Sequence, residues 1–305
     1  MLTKKQKKRP LYGKETIGGK IFDGFNVLFI AFLTFIMLYP FWNQFIVSFN
    51  EGIDTSLGGL YFWPRALTLD NYKYIFQQTG LSSAAIISVL RVVVGTVTSV
   101  FCTGLLAYIT TIKWFSGRKF IRIVFLITMY FGGGLVPTYL VMSNLGLMDT
   151  FTVYWLPGLF NAYNMLLIAS YIYNLPDSLA ESARMDGAGE IKIFWKIIVP
   201  LCLPVIATIA LFNAVGHWNS WFDVMIYNSS GEWDTLQVYL RKILLESEQI
   251  GKLTNQQQQM EAMRKLTPGS VRAATTMIVT IPIIMLYPFL QKYFISGITI
   301  GAVKE

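Results

Sequence analysis

The sequence is poor in charge, cysteine and histidine. Only 14% of its 305 residues are charged, and it has two cysteines and one histidine. Soluble globular proteins carry about 25% charged residues, so a soluble globular chain is excluded. Cys102 and Cys202 both fall inside apolar runs, which implies buried apolar fillers and neither a disulfide framework nor a metal site. His217 alone supports neither metal binding nor a proton relay.

A nucleotide-binding loop is also missing. The sequence contains no Gly-x4-Gly-Lys-Ser/Thr, and its three Gly-Lys pairs are followed by Glu15, Ile21 and Leu253. We therefore expect that this chain does not bind ATP.

What the sequence has in excess is apolar residues, which make up 54% of the chain. They are collected in runs of about 20 residues or more, the length that a helix needs to cross a hydrocarbon core roughly 30 Å thick. The pattern predicts an all-α polytopic membrane protein with six transmembrane helices. These predicted spans cover residues 25–47, 83–110, 120–142, 151–173, 199–225 and 273–295.

The position of the basic residues predicts the orientation. Seven Lys and Arg residues lie in a basic tail, residues 1–24, and 16 of the 25 in the chain lie on the same side as this tail. Basic residues in short connections mark the cytoplasmic side, so both termini are expected in the cytoplasm and the first run is read as an uncleaved anchor. Residues 25–305 form the transmembrane domain, with outer loops at residues 50–82 and 227–272.

Residues 177–200, here called the elbow, carry seven charged side chains between two apolar runs. A segment with this many charged side chains is expected to lie outside the bilayer. Ser178 and Glu181 predict a capping box that starts a short helix, and Gly187 predicts a turn. A second short helix is expected to follow, with Pro200 at the start of the next span. The elbow is therefore predicted as two short helices joined by a turn on the cytoplasmic side.

Polar side chains also occur inside two predicted spans. Arg91 lies in the second span and is expected to pair with a carboxylate or carbonyl groups on a neighbouring helix. Amides and aromatic rings together can line a path for sugars, but they can equally make interhelical hydrogen bonds and an aromatic belt at the outer interface. Both interpretations apply to the candidate path residues of the fifth span: Asn213, His217, Trp218, Asn219, Trp221 and Asp223.

Three shorter patterns predict local structure. Gly132, the two glycines after it, and Pro137 predict a bend in the third span, read either as close helix packing or as a hinge. In the first outer loop, Thr68 is expected to cap a short amphipathic helix. In the second, apolar residues from 236 to 244 recur at helical spacing and predict a helix on the outer surface.

The elbow resembles the "EAA" loop of ABC-importer permeases. The matching positions are Glu181-Ser182-Ala183, Gly187, Ile197 and Val199-Pro200, with Ser182 in place of the family's second alanine and Val199 in place of leucine. The resemblance implies a type I importer permease fold, with the elbow docking into a groove on a cytoplasmic ATPase. The residues it implies for coupling to the ATPase are Glu181, Ser182, Ala183, Asp186, Gly187, Ile197 and Pro200.

Further strings resemble the carbohydrate-uptake type 1 branch of these permeases, among them LYFWPRALTLDNYKYIF and LGLMDT. FGGGLVPTYL and VGHWNSWF are most similar to its lipoprotein- and polygalacturonate-type subgroup. The resemblance implies a multi-pass protein of the bacterial cytoplasmic membrane that imports an oligosaccharide. It also implies a second permease, an extracytoplasmic sugar-binding lipoprotein, and two ATPase subunits that bind the ATP and Mg, with no cofactor on this chain.

Two other classes stay open at this point. One is a channel or sensor subunit without ATP coupling. The other is a polytopic membrane enzyme, for which Glu181, Asp186 and Glu190 offer carboxylates but no accompanying nucleophile or metal-spaced set.

Overall fold

A computed structural model describes residues 17–250 and 266–302, which form helices and no strand. Two 3-10 turns, Phe151–Tyr154 and Leu156–Gly158, and one π-helical turn, Phe194–Ile198, accompany the α-helices. The helices are α1 (Ile17–Ser48), α2 (Gly52–Ser56), α3 (Asp70–Gln77), α4 (Leu81–Thr111), α5 (Arg118–Tyr130), α6 (Leu135–Asn144), α7 (Ala162–Tyr173), α8 (Asp177–Met185), α9 (Glu190–Ile193), α10 (Val199–Leu201), α11 (Leu203–Asn219), α12 (Phe222–Tyr227), α13 (Leu236–Ile250) and α14 (Pro268–Ala302).

The prediction of six continuous spans is not confirmed. In the described residues, three helices are long and apolar enough to cross a membrane: α1, α4 and the Pro268–Met285 part of α14. A fourth is added if Glu190–Leu201 and Leu203–Asn219 form one span, which is bent by 84°. The all-α membrane architecture is confirmed, but the apolar runs between α4 and α8 are divided into shorter helices.

The third predicted span breaks at its glycines. α5 ends at Tyr130, α6 begins at Leu135, and Gly134 between them has a φ of +81°, which side chains with a Cβ resist. The predicted bend is confirmed as a full interruption. Among the described residues, nothing lies within 4 Å of a Cβ built on Gly132 or Gly134, so these two glycines make no close contact with another described helix of this chain.

The fourth predicted span is also incomplete, because its first half forms the two 3-10 turns and only α7 is α-helical. The carbonyl groups left free in such a segment need partners inside a membrane. Two hydroxyls of α4 supply them: Ser99 Oγ donates to the Gly158 carbonyl at 2.9 Å, and Thr103 Oγ1 donates to the Leu159 carbonyl at 3.1 Å.

α4 is the central helix and packs against α5, α7, α11 and α13. Gly95, Ser99, Thr103 and Ala107 recur at intervals of four and are all buried. Residues at this spacing share one helical face, and small residues there let neighbouring helices approach closely. α1, in contrast, packs mainly on α14 and leaves most of its apolar surface exposed, as a helix facing lipid or a partner chain does.

The helices predicted for the outer loops are present as α3 and α13, and both pack against α14. On α13, Leu236, Leu240 and Ile243 are buried as the spacing predicts. The N-cap residue of α3 is Leu69 and not Thr68, but Thr68 Oγ1 accepts from the Asp70 amide at 3.2 Å and so satisfies a free amide at the start of the helix. Residues 255–259 and most of the basic tail lie outside the described residues.

Candidate functional site

The first helix of the elbow is α8, and it begins two residues earlier than the capping box requires. The N-cap residue is Pro176, and within the described chain no side chain caps this end, so the predicted Ser178–Glu181 box is wrong. Pro176 fixes an extended backbone just before the helix, and Asp177 places a carboxylate in the first turn, where the helix dipole favours negative charge. Ser178 therefore sits inside the first turn and cannot cap it.

The turn of the elbow is a Schellman motif around Gly187. The Ala188 amide donates to the Ala183 carbonyl at 2.9 Å, and the Gly187 amide donates to the Arg184 carbonyl at 3.0 Å. Gly187 has a φ of +77°. This confirms the predicted turn and shows why glycine occupies its left-handed position.

The second half of the elbow is a continuous helical arm, Glu190–Leu201. Ile193, Phe194 and Ile198 are buried in a cluster that includes Ala107 of α4 and Met165 of α7. The arm therefore belongs to the same packed body as the central helix.

Pro200 does not begin the next helix as predicted. The arm continues to Leu201, breaks at Cys202 and meets α11 at 84°. The π-helical turn Phe194–Ile198 directly precedes Pro200, whose ring and missing amide proton do not fit a regular helical ladder. Pro204 then lies in the first turn of α11, where a proline is tolerated.

Charged contacts tie the two halves of the elbow to each other and to α4. Arg184 Nε donates to Glu190 Oε1 at 2.7 Å, and the buried Tyr108 hydroxyl donates to the same carboxylate. Lys113 Nζ lies 2.5 Å from an Asp177 oxygen, and this hydrogen bond raises the pKa of Lys113. The Lys113 pair is exposed and adds little stability, whereas Arg184, Glu190 and Tyr108 form a half-buried network.

Most of the residues predicted for ATPase coupling lie on the surface of the elbow. Glu181, Ser182, Asp186, Gly187 and Pro200 are exposed, whereas Ala183 and Ile197 are half-buried against the arm and its cluster.

Sequence reasoning missed two apolar side chains beside the turn. Met185 is 88% exposed and Ile191 is 74% exposed, the two highest values among the large apolar side chains of the elbow. Because Met185 and Ile191 flank the same turn outside the predicted spans, they form a candidate docking surface. Their position in a charged segment between two apolar runs was the signal available in the sequence.

A second candidate site is a cavity of about 420 Å³ between α4, the 3-10 turns, α11 and α12, with both apolar and polar side chains in its lining. The Arg91 guanidinium forms an ion pair with Asp223, and its carbon lies 4.7 Å above the centre of the Tyr154 ring. Ser220 Oγ donates to Asp223 Oδ1 at 2.8 Å. Arg91 thus has the carboxylate partner that the sequence predicted without identifying it.

The cavity brings together four of the predicted path residues: Arg91, Asn213, His217 and Asp223. It does not include the other three. Trp218 packs towards α14 and donates its Nε1 proton to the Val279 carbonyl at 3.1 Å. Trp221 is covered on one face by Arg241, whose guanidinium carbon lies 4.3 Å from the ring centre. Asn219 is exposed elsewhere.

Sequence reasoning missed Tyr154, Asn161 and Ser220, which also line the cavity. Ser220 was open to prediction, since it lies three residues before Asp223 in the segment already singled out. Tyr154 and Asn161 were not, because only the break in the fourth predicted span brings them to the cavity.

His217 packs on the backbone of α4 at Gly95. A Cβ on Gly95 would lie 2.3 Å from His217 Nε2, far inside van der Waals contact. Asn213 Nδ2, one turn earlier on α11, lies 3.5 Å from Ser99 Oγ. The same side chains therefore hold α4 to α11 and line the cavity, so the two interpretations of this segment are compatible.

The chain is similar to known transport proteins over nearly its whole length. The family described as "Binding-protein-dependent transport system inner membrane component" matches residues 16–300. Protein LplC of Bacillus subtilis is 37% identical over 95% of this chain and 97% of its own length. The polygalacturonan/rhamnogalacturonan transport system permease protein YtcP of the same organism is 35% identical over 93% and 99%.

A solved structure of similar fold comes from a bacterial ABC transporter involved in the import of the acidic polysaccharide alginate. It is 28% identical to this chain, with a TM-score of 0.82, and the match covers 94% of this chain and all of the other.

Proposed function

We propose that this chain, which belongs to the family of binding-protein-dependent transport system inner membrane components, conducts an oligosaccharide across the membrane in an ATP-driven importer. It is an integral membrane protein and a permease subunit of an ABC transporter, not an enzyme. The observation that carries the proposal is the elbow, a rigid turn that projects apolar side chains from a tightly packed body. The printed names of its relatives, which include polysaccharide transport systems, support a sugar as the cargo.

The elbow is the part of this chain that docks on a cytoplasmic ATPase. Met185 and Ile191 enter an apolar groove of the ATPase, and Glu181 and Asp186 at the rim set the orientation. The basic residues of the N-terminal tail and of the connections support a cytoplasmic position for this side. Because the arm meets α11 at 84°, the arm lies along the membrane surface when α11 crosses the membrane.

Movement of the ATPases reaches the cavity through α4. The Tyr108–Glu190–Arg184 network joins the elbow to α4, and Arg91 lies 17 residues earlier on the same helix. At 1.5 Å per residue, the helix spans about 25 Å between these two points. When the two ATPase subunits bind ATP and close, the elbow shifts as a rigid body. This movement changes the side of the membrane to which the cavity opens. A second permease completes the pathway, and a sugar-binding lipoprotein delivers the cargo from outside.

Cysteine crosslinking tests this assignment. Met185→Cys and Ile191→Cys, each in the complete importer in membranes and labelled with a maleimide-benzophenone photocrosslinker, are expected to crosslink to the ATPase subunit on illumination. Leu57→Cys is the matched control, because Leu57 is 77% exposed and lies in the predicted first outer loop. The unmodified chain controls for Cys102 and Cys202. Crosslinking from position 57 but not from 185 or 191 would overturn the proposed docking and orientation.

A further inference from the structure

The charges on the cavity wall cancel each other. Among the described residues that line it, Arg91 carries the one permanent positive charge and Asp223 the one negative charge, and the two form an ion pair. The other polar lining groups are neutral amides and hydroxyls, together with His217. The wall therefore carries no net permanent charge from this subunit, and the charge that a ligand contacts depends on which partner of the ion pair is accessible.

The two partners of the ion pair are not equally accessible. The Arg91 side chain is only 3% exposed, and it is held between the Asp223 carboxylate and the Tyr154 ring. Asp223 is 29% exposed. Its carboxylate has about four acceptor positions, of which Arg91 and Ser220 occupy part. The charge that the cavity presents to a ligand is consequently the carboxylate, while the guanidinium lies behind it.

Neutral sugars and uronates respond to this arrangement in opposite ways. Sugar hydroxyls donate to a carboxylate in strong, charge-assisted hydrogen bonds, and Asn161 and Asn213 add amide donors and acceptors on the same wall. A uronate would bring a second carboxylate towards Asp223 and would find no accessible cation among the described lining residues. Like charges at short distance in a partly buried site repel strongly.

We infer that Asp223 accepts hydrogen bonds from the hydroxyl groups of the cargo, and that this subunit selects neutral oligosaccharides over uronate-containing ones. Arg91 acts through Asp223 as a positioning residue: the ion pair fixes the orientation of the carboxylate. This inference rests on the proposed function, since it assigns the chemical class of the sugar that the cavity accepts.

The test uses the complete importer in proteoliposomes with its binding protein and two sets of labelled trisaccharides. One set is neutral, and the other contains the matched uronates, in which a carboxylate replaces each primary alcohol. We expect uptake of at least one neutral member and uptake of its uronate match at least about tenfold slower. Preferred uptake of uronates would overturn the inference. Uptake of neither set by a fully assembled importer would refute the proposed function itself, and the inference with it.

Variants of the ion pair separate selection in the cavity from selection by the binding protein. Asp223→Asn is expected to lower the uptake rate of the neutral sugar about tenfold or more. It should also lower the ratio of the neutral uptake rate to the uronate uptake rate. Because this change leaves Arg91 buried without a counter-charge, Arg91→Gln combined with Asp223→Asn serves as the second variant, with the same expected direction. Asp149→Asn, on a loop carboxylate outside the cavity lining, is the control and is expected to leave the ratio unchanged. An unchanged ratio in both cavity variants, each assembled normally, would overturn the inference.

Discussion

Replacing Gly187 tests whether the elbow transmits force as a rigid body. Its φ of +77° is a left-handed conformation, and among the described residues nothing lies within 4 Å of a Cβ built at this position. A new side chain therefore meets no clash inside this chain, and the cost arises in the backbone alone. For a residue with a Cβ, the left-handed conformation costs about 1–2 kcal/mol. For β-branched valine the cost is about 2 kcal/mol or more. About 2 kcal/mol shifts the equilibrium away from the native turn roughly thirtyfold.

The matched variants are Gly187→Val and Gly187→Asn. Both add an exposed side chain of similar size, but asparagine tolerates the left-handed region and valine does not. We expect sugar uptake to fall several-fold or more in the valine variant and to stay near normal in the asparagine variant, at equal levels of assembled complex. ATP hydrolysis that no longer responds to sugar-loaded binding protein would accompany the loss, because a disordered turn absorbs the ATPase movement. Equal uptake by the two variants would refute the argument, since their difference lies in backbone preference.

Two further predictions concern the central helix. Gly95→Ala places a methyl group 2.3 Å from His217 Nε2 and is expected to destabilise the solubilised complex by about 1–3 kcal/mol, measured as a lowered thermal midpoint. Gly216→Ala, where no described atom lies within 4 Å of the new Cβ, is the control and should keep or raise the midpoint. Glu190→Gln with Tyr108→Phe weakens the network between elbow and α4 and should reduce uptake more than it reduces basal ATP hydrolysis. Parallel losses of uptake and basal hydrolysis in that double variant would argue against a coupling role.

The elbow was predictable because its determinants are local. The Schellman turn joins residues no more than five positions apart, so Gly187 and its neighbours specify it without help from the rest of the fold. The outer helices α3 and α13 follow from apolar spacing for the same reason. The capping-box prediction was wrong on a local detail: the N-cap of α8 is Pro176, two residues before Ser178.

The amino-acid sequence alone determined that the chain is a helical membrane protein with a charged, turn-containing elbow, because hydropathy and glycine geometry act over a few residues. Only the tertiary structure decided which apolar runs form continuous helices. Hydroxyls on α4 donate to the free carbonyls of the broken fourth segment and so stabilise it. Local hydropathy does not show which residues of another helix make such hydrogen bonds. The tertiary structure also decided that Arg91 pairs with Asp223, 132 positions away, and that Trp218 faces α14 instead of the cavity. Such partners depend on how helices pack, and local sequence patterns do not encode that packing.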